Sequence, residues 1–155
     1  MEQIIAQVHR ILIKSKKTVA VAESCTGGLV SSLLTELSGS SAYFILGVVA
    51  YNNKVKTKLL KVPASLIANK GVVSKEVAIK LAQGARKLAK TDFSIGITGI
   101  AGPSGSSPFK PVGTVFIAAA SKHKILCKKF HFTGNRSAIR KKAALQSLVI
   151  LKNLL

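Results

Sequence analysis

Residues 39–60 read GSSAYFILGVVAYNNKVKTKLL. Phe44 to Ala50 is apolar and rich in β-branched residues, the composition of a buried strand. Ser40 and Ser41 stand at its start, Tyr51 closes it, and Lys54, Lys56 and Lys58 follow. The segment predicts a strand over 43–51, then a short helix in NNKVKTKLL. Upstream, TVAVAE (18–23) predicts a strand, SCTGG a turn, and Leu29 to Leu37 a helix, with a polar loop at 38–42. Strands that alternate with helices imply an α/β sheet with parallel pairing.

The flanking sequence extends that pattern. Ile4, Ile5, Val8, Ile11 and Leu12 recur at helical spacing within 1–16. Pro63 opens PASLIANK, and Gly71 ends it. Ser74 caps a longer helix over Lys75 to Lys90, with Glu76 placed one residue short of a full capping box. FSIGITGI (93–100) is a continuous apolar strand, followed by the Gly/Pro/Ser loop AGPSGSSPFKPVG (101–113). TVFIAAAS and KILCKKFHF read as a hairpin, which adds an antiparallel strand, and Arg136 to Leu155 as a closing helix. No linker or repeat divides the chain, so one domain over 1–155 is expected.

The 155 residues suit a single core, and 48% hydrophobic composition excludes a disordered chain. No apolar run reaches the roughly 18 residues of a membrane span. The N-terminus carries Glu2 and reads as an amphipathic helix, not a signal peptide. Cys25 and Cys127 lack CxxC partners, which fits a reduced cytoplasmic protein. His9, His123 and His131 have no ligand spacing, so no metal site is expected. Lys and Arg number 24 against 5 Asp and Glu, a formal charge of +19. The basic residues are spread over 14–17, 54–61, 70–90, 122–129 and 136–142 without a readout element. They read as a solvated surface, and a phosphate-bearing small ligand would also benefit from their field.

Three loops fall at the carboxyl ends of parallel strands, where sheets of this kind bind ligands: Glu23–Gly28, Tyr51–Lys56 and Thr98–Gly113. The SCTGG turn offers backbone N–H groups and the Ser24 and Thr26 hydroxyls to an anion; Gly27 and Gly28 alternatively serve only the turn. Cys25 at a helix start lacks a neighbouring histidine, which makes it the weaker nucleophile. Gly99, Gly102, Gly105 and Gly113 let the long loop approach a ligand, with Lys110 as an anion contact. A serine needs a base, and a lysine whose pKa is depressed can be one. Lys56, in its cluster of lysines, is the candidate; alternatively Ser41 caps a loop and the lysines are a solvated face.

AESCTGG, LSGSSAYF, GVVAYNNKVK, GVVSKEVA, ITGIAGPSG, KPVGTV and FTGNR occur in that order. Together they resemble the C-terminal domain of the CinA (competence/damage-inducible) family, the nicotinamide-nucleotide amidases, from about residue 5 to residue 150. The resemblance is to the stand-alone form, without the molybdopterin-binding-like domain of longer CinA proteins. It implies a three-layer α/β/α sandwich with a mixed, mostly parallel sheet. It implies hydrolysis of nicotinamide mononucleotide to nicotinic acid mononucleotide and ammonia, with no cofactor, in the cytoplasm. By the same resemblance the nucleophile is Ser41, the base Lys56, and the assisting phenol Tyr51. Ser24, Thr26, Gly27, Thr98 and Gly102 border the nucleotide, and Arg136 meets its phosphate. A homo-oligomer, a dimer, is expected. Asn135 and Lys75 depart from the family's usual acidic residues, away from the proposed triad. A competing expectation is a non-catalytic module that binds nucleic acid or a protein partner.

A strand over 43–51 spans well over 20 Å at about 3.3 Å per residue. Ser41 and Lys56 therefore meet only if the loop 38–42 folds over the sheet edge, the strand is shorter, or a dimer interface completes the pair.

The charge and the lack of a readout element together set an expectation for nucleic acid. Duplex DNA titrated by fluorescence anisotropy should bind weakly, without sequence preference, and release as salt rises. A sequence-specific complex that persists at physiological salt would contradict this reading.

Overall fold

The strand Val19–Glu23 (β1) is buried along its whole length, and its side chains divide between two cores. Val19 and Val21 enter one cluster, Ala20 and Ala22 the other. This is the two-residue alternation of a strand whose faces are both covered. The computed structural model, which describes residues 2–155, shows what covers them. In chain order the other elements are Glu2–Ser15 (α1), Leu29–Leu34 (α2), Phe44–Val49 (β2), Asn53–Leu60 (α3), Ala64–Lys70 (α4), Lys75–Ala89 (α5), Phe93–Gly99 (β3), Thr114–Ala120 (β4), Ile125–His131 (β5) and Arg136–Lys152 (α6).

Helices α1, α2 and α6 cover one face through Val8, Leu12, Val30, Leu34, Ile139 and Leu148, packed on Val21, Ile95, Ile97 and Ile117. Helices α3 and α5 cover the other, through Leu60, Val77, Leu81 and Ala85 on Ala20 and Ala22. The result is the three-layer α/β/α arrangement. The sheet order is β2-β1-β3-β4-β5. β1 pairs in parallel with β2 and β3, while β3–β4 and β4–β5 are antiparallel. The sheet is thus mixed, with its pairings evenly divided between the two kinds. The carboxyl ends of β2, β1 and β3 lie along one edge, so the three loops singled out from the sequence converge there. Among the described residues no helix is long and apolar enough to cross a membrane.

Several boundaries are tighter than the sequence pattern predicts. α2 ends at Leu34, because the Thr35 hydroxyl donates to the carbonyl of Ser31 at 2.9 Å and the chain then reverses at Gly39, φ 87°. Ser40–Ala42, read as loop, is a short 3₁₀ turn. β2 omits Tyr43, whose ring is buried and whose hydroxyl donates to the carbonyl of Leu34 at 2.7 Å. β2 also omits Ala50 and Tyr51, because Asn52 turns the chain to cap α3, accepting from the Lys54 N–H at 2.8 Å. α6 ends at Lys152, with Asn153 as its C-cap.

The two faces of the sheet differ in bulk. Toward α5 it presents small residues, among them Ala118 and Ala120, and α5 answers with Ala78 and Ala82. A Cβ at Gly96 on β3 would meet the backbone nitrogen of Ala82 and the carbonyl oxygen of Ala78. Gly96→Ala should therefore force α5 off the sheet and lower stability by about 1–3 kcal/mol. Urea unfolding followed by circular dichroism checks this; an unchanged midpoint would show that α5 yields without strain.

Candidate active site

The site begins with a carboxylate. Glu23, at the end of β1, is fully buried. Its oxygens accept from the N–H groups of Gly28, Val30 and Ser31 at 2.9, 3.1 and 2.8 Å, and from the Ser31 hydroxyl at 2.7 Å. A negative group on the N–H groups that open a helix is favoured by hydrogen bonding and by the helix dipole. It folds the SCTGG turn back over the strand end. From the other side Arg140 of α6 donates to the carbonyls of Cys25 and Thr26 at 3.2 and 2.8 Å. A Cβ at Gly27, φ +60°, would press on that guanidinium at 2.9 Å. Neither Glu23 nor Arg140 was predicted as a site residue. An acidic residue ending a strand before a Gly-Gly turn is the one signal that pointed to Glu23, and Arg140 had none.

Beside the turn lies a cavity of about 290 Å³. Ser24 and Cys25 form one wall, Tyr51 and Lys56 a second, and the 98–105 loop a third, with Val72 and Val73 over it and Arg136 at its mouth. Lys56 is 1% exposed although it belongs to a helix whose other lysines face solvent. Its Nζ donates to the carbonyl of Tyr51 at 2.9 Å. Burial lowers its pKa, because it penalises the charged ammonium; the nearby Cys25 opposes the shift. Tyr51 is 59% exposed, and its phenol oxygen accepts from Arg136 Nη2 at 2.9 Å. Arg136 Nη1 donates to the carbonyl of Gly102 at 2.7 Å. Tyr51 is thus fixed at both ends, by the Lys56 amine on its carbonyl and by Arg136 on its phenol. Asn135, one of the departures noted above, accepts from the Ala138 N–H at 2.9 Å and caps α6, as an acid would, so Arg136 opens that helix.

Ser24, Tyr51, Lys56, Thr98, Gly102 and Arg136 therefore share one cavity. The Thr98 hydroxyl donates to the carbonyl of Val72 at 2.8 Å, holding the 71–73 segment over the site. Thr26 and Gly27 do not line it: the Thr26 hydroxyl is buried without a partner, and Gly27 faces Arg140. Lys110 ties its loop to the carbonyl of Lys70 at 3.1 Å. Burial pushes the Cys25 thiol up to about 11, which keeps it protonated near neutral pH. Ser41 stands apart. It is exposed on the 3₁₀ turn before β2, whereas Tyr51 and Lys56 follow β2. The strand between them is about 20 Å long at 3.3 Å per residue. The shorter strand does not close the gap.

A family profile described as the CinA C-terminal domain matches residues 1–155. The chain is 51% identical over 139 residues to a CinA-like protein of Geobacter metallireducens, an alignment covering 90% of this chain and 34% of that protein. It is 47% identical over 155 residues to a CinA-like protein of Desulfotalea psychrophila, covering 100% and 37%. The chain spans about a third of the length of these curated relatives. The crystal structure of the competence/damage inducible protein CihA from Agrobacterium tumefaciens superposes with a TM-score of 0.96 at 34% identity, covering 99% of this chain and 94% of that one. A CinA superfamily protein from Escherichia coli gives 0.94 at 32% identity, covering 98% and 88%.

A buried lysine of depressed pKa leaves a trace in stability. Between the folded value and the ordinary value of about 10.4, the unfolded chain binds more protons than the folded one, so stability rises with pH in that window. Lys56→Met should remove that rise and should melt no lower than the parent at neutral pH. Thermal melts from neutral to alkaline pH check this; a variant that melts well below the parent would show that the ammonium is held by more than the Tyr51 carbonyl.

Proposed function

The chain belongs to the CinA C-terminal domain family, and we propose that it hydrolyses the carboxamide of nicotinamide mononucleotide to nicotinic acid mononucleotide and ammonia. The observation that carries this reading is Lys56, a buried amine of lowered pKa in the wall of a cavity with an arginine at its mouth. A lysine in that state accepts a proton, and an arginine in that place takes a phosphate. The pyridinium ring of the substrate adds positive charge, which disfavours the ammonium further.

In the proposed reaction the neutral Lys56 amine takes the hydroxyl proton of Ser24, the serine that shares its cavity, and Oγ attacks the amide carbon. The ammonium returns the proton to the departing nitrogen, ammonia leaves, and an acyl-serine remains. Lys56 then takes a proton from water, whose oxygen attacks the ester and frees the serine and the carboxylate. The Tyr51 phenol relays the proton or hydrogen-bonds the amine. Cys25 and the 98–105 loop border the nucleotide, and Arg136 meets its phosphate while keeping Tyr51 in place. Cys25 and Cys127 are free thiols, in keeping with a reducing compartment such as the cytoplasm. A second reading keeps Ser41, the serine named by the family resemblance, as the nucleophile; it requires the turn before β2 to reach a cavity that it does not line.

Ammonia release from nicotinamide mononucleotide tests the reading. Ser24→Ala should abolish it in a folded protein; loss in Ser41→Ala alone would move the nucleophile to the turn before β2. Lys56→Arg keeps the charge but accepts no proton, and should lose at least about 100-fold. In the parent, kcat/KM should rise with pH through a pKa below the ordinary lysine value, and both Lys56→Arg and Lys56→Ala should lose that limb. A Lys56→Arg variant that keeps most of its activity would make Lys56 a phosphate clamp. No ammonia from the parent would leave the non-catalytic reading standing.

A further inference from the structure

At the end of the sheet opposite to Lys56 the chain forms another cavity. β4 runs antiparallel to β3, with Ala120 paired to Ser94, so the turn at 121–124 lies at the amino end of β3. That turn and α5 bound a space of about 290 Å³. Lys80, Arg86 and Lys87 of α5 line it together with Lys122 and Lys124 of the turn, and no carboxylate does. Glu76 stands one turn before Lys80, and Asp92 three residues past α5, yet neither reaches the cavity. Asp92 is taken by Lys17 and Thr18. Among the described residues the single salt bridge is that of Lys17 with Asp92, so none of the five cations is paired with an acid.

The backbone that carries these charges is held in place. Arg86 Nη1 donates to the carbonyl of Thr91 at 3.4 Å. The turn is closed by the Ser121 N–H on the Lys124 carbonyl at 2.8 Å, and by the Lys124 N–H on the Ser121 hydroxyl at 3.0 Å. A neighbouring cavity, also of about 290 Å³, shares Lys80, Gln83 and Lys87 and continues to Lys61 at the end of α3. The two together make a groove with cations along its length and Gln83 as an uncharged donor between them. Like charges gathered in this way repel one another, and an anion of several charges relieves them all.

We propose that this groove binds a linear chain of phosphates, as carried by a nucleoside triphosphate or by an inorganic polyphosphate. A single phosphate meets only part of a row of cations, whereas consecutive phosphates meet it along its length, each through charge-assisted hydrogen bonds. A nucleic-acid strand fits less well. Strand binding pairs a basic groove with aromatic platforms for the bases, and His123 is the one aromatic ring in either lining. The groove lies at the amino end of β3 and the Lys56 cavity at its carboxyl end, so its occupant is distinct from the mononucleotide of the proposed reaction.

Isothermal titration calorimetry at physiological salt tests this through binding alone, whether or not the protein releases ammonia. Tripolyphosphate should bind at least about tenfold more tightly than orthophosphate. Lys87→Gln with Lys122→Gln should weaken tripolyphosphate by at least about tenfold, and so should Lys80→Gln with Lys124→Gln. Lys14→Gln with Lys141→Gln removes the same charge from helices on the other face of the sheet, and should bind as the parent does. ATP bound more tightly than tripolyphosphate, and weakened by the same groove variants, names a nucleotide as the source of the chain. ATP bound equally or less tightly names the inorganic chain. A loss in the Lys14 and Lys141 variant equal to that in the groove variants would assign the binding to the overall field of the protein and overturn the site. Tripolyphosphate bound no more tightly than orthophosphate overturns it as well. An oligothymidylate strand bound more tightly than tripolyphosphate and ATP, with the same dependence on the groove, would make the occupant a nucleic acid and overturn the proposal.

Discussion

The buried Glu23 carboxylate is the interaction from which the site is organised. It is one of 5 acidic residues in the chain, and it is fully buried. Isolated, such a charge would cost several kcal/mol to desolvate. Here three N–H groups and a hydroxyl surround it. It does locally what a phosphate does at a glycine-rich turn: it gathers the N–H groups that open a helix. Those N–H groups are consequently occupied. A nucleotide phosphate is therefore better met by Arg136 at the mouth than by the start of α2, which narrows the anion-binding reading of the SCTGG turn.

The second constraint is Lys56. A helix of amphipathic pattern exposes its lysines, and Lys54, Lys58 and Lys61 obey. Lys56 points inward because α3 begins one residue after the Asn52 cap, which sets its phase against the sheet. The inward amine finds one carbonyl, that of Tyr51, and no carboxylate. An ion pair would raise its pKa and remove it as a base; a single neutral acceptor and burial act the other way. Such a residue is a local sacrifice of stability, of the kind that accumulates at working sites.

Much of the fold could be read from the chain. Alternation of strand and helix patterns gave the α/β class, the family resemblance implied the three layers, and the polar loops after the parallel strands gave the edge where the site lies. What could not be read has physical causes. Strand β2 is shorter than its apolar run because Tyr43 and Ala50 are core residues outside the sheet, and composition does not distinguish a buried side chain from a paired backbone. The mixed pairing was partly legible from the late hairpin, but hydrophobicity alone does not rank parallel against antiparallel partners. Lys56 was a candidate base from its place among the lysines after the strand, the roles of Tyr51 and Arg136 came from the family resemblance, and the contacts of all three give that proposal a geometry. Thr26 and Gly27 belong to the turn's own construction, since a hydroxyl facing inward has the same sequence signature as one facing a ligand. Arg140 acts from the far end of the chain through two backbone carbonyls, and no motif marks such a contact.

The surface charge can be seen in the same terms. Most of the basic residues lie on solvated faces, and only Lys17 with Asp92 forms a salt bridge among the described residues. A field of that sign favours encounter with any anion, and so selects phosphates as a class without choosing among them. Discrimination has to come from a place where the field is focused and water is limited. Lys56, behind Tyr51, is such a place, and Arg136 stands where the cavity opens to solvent.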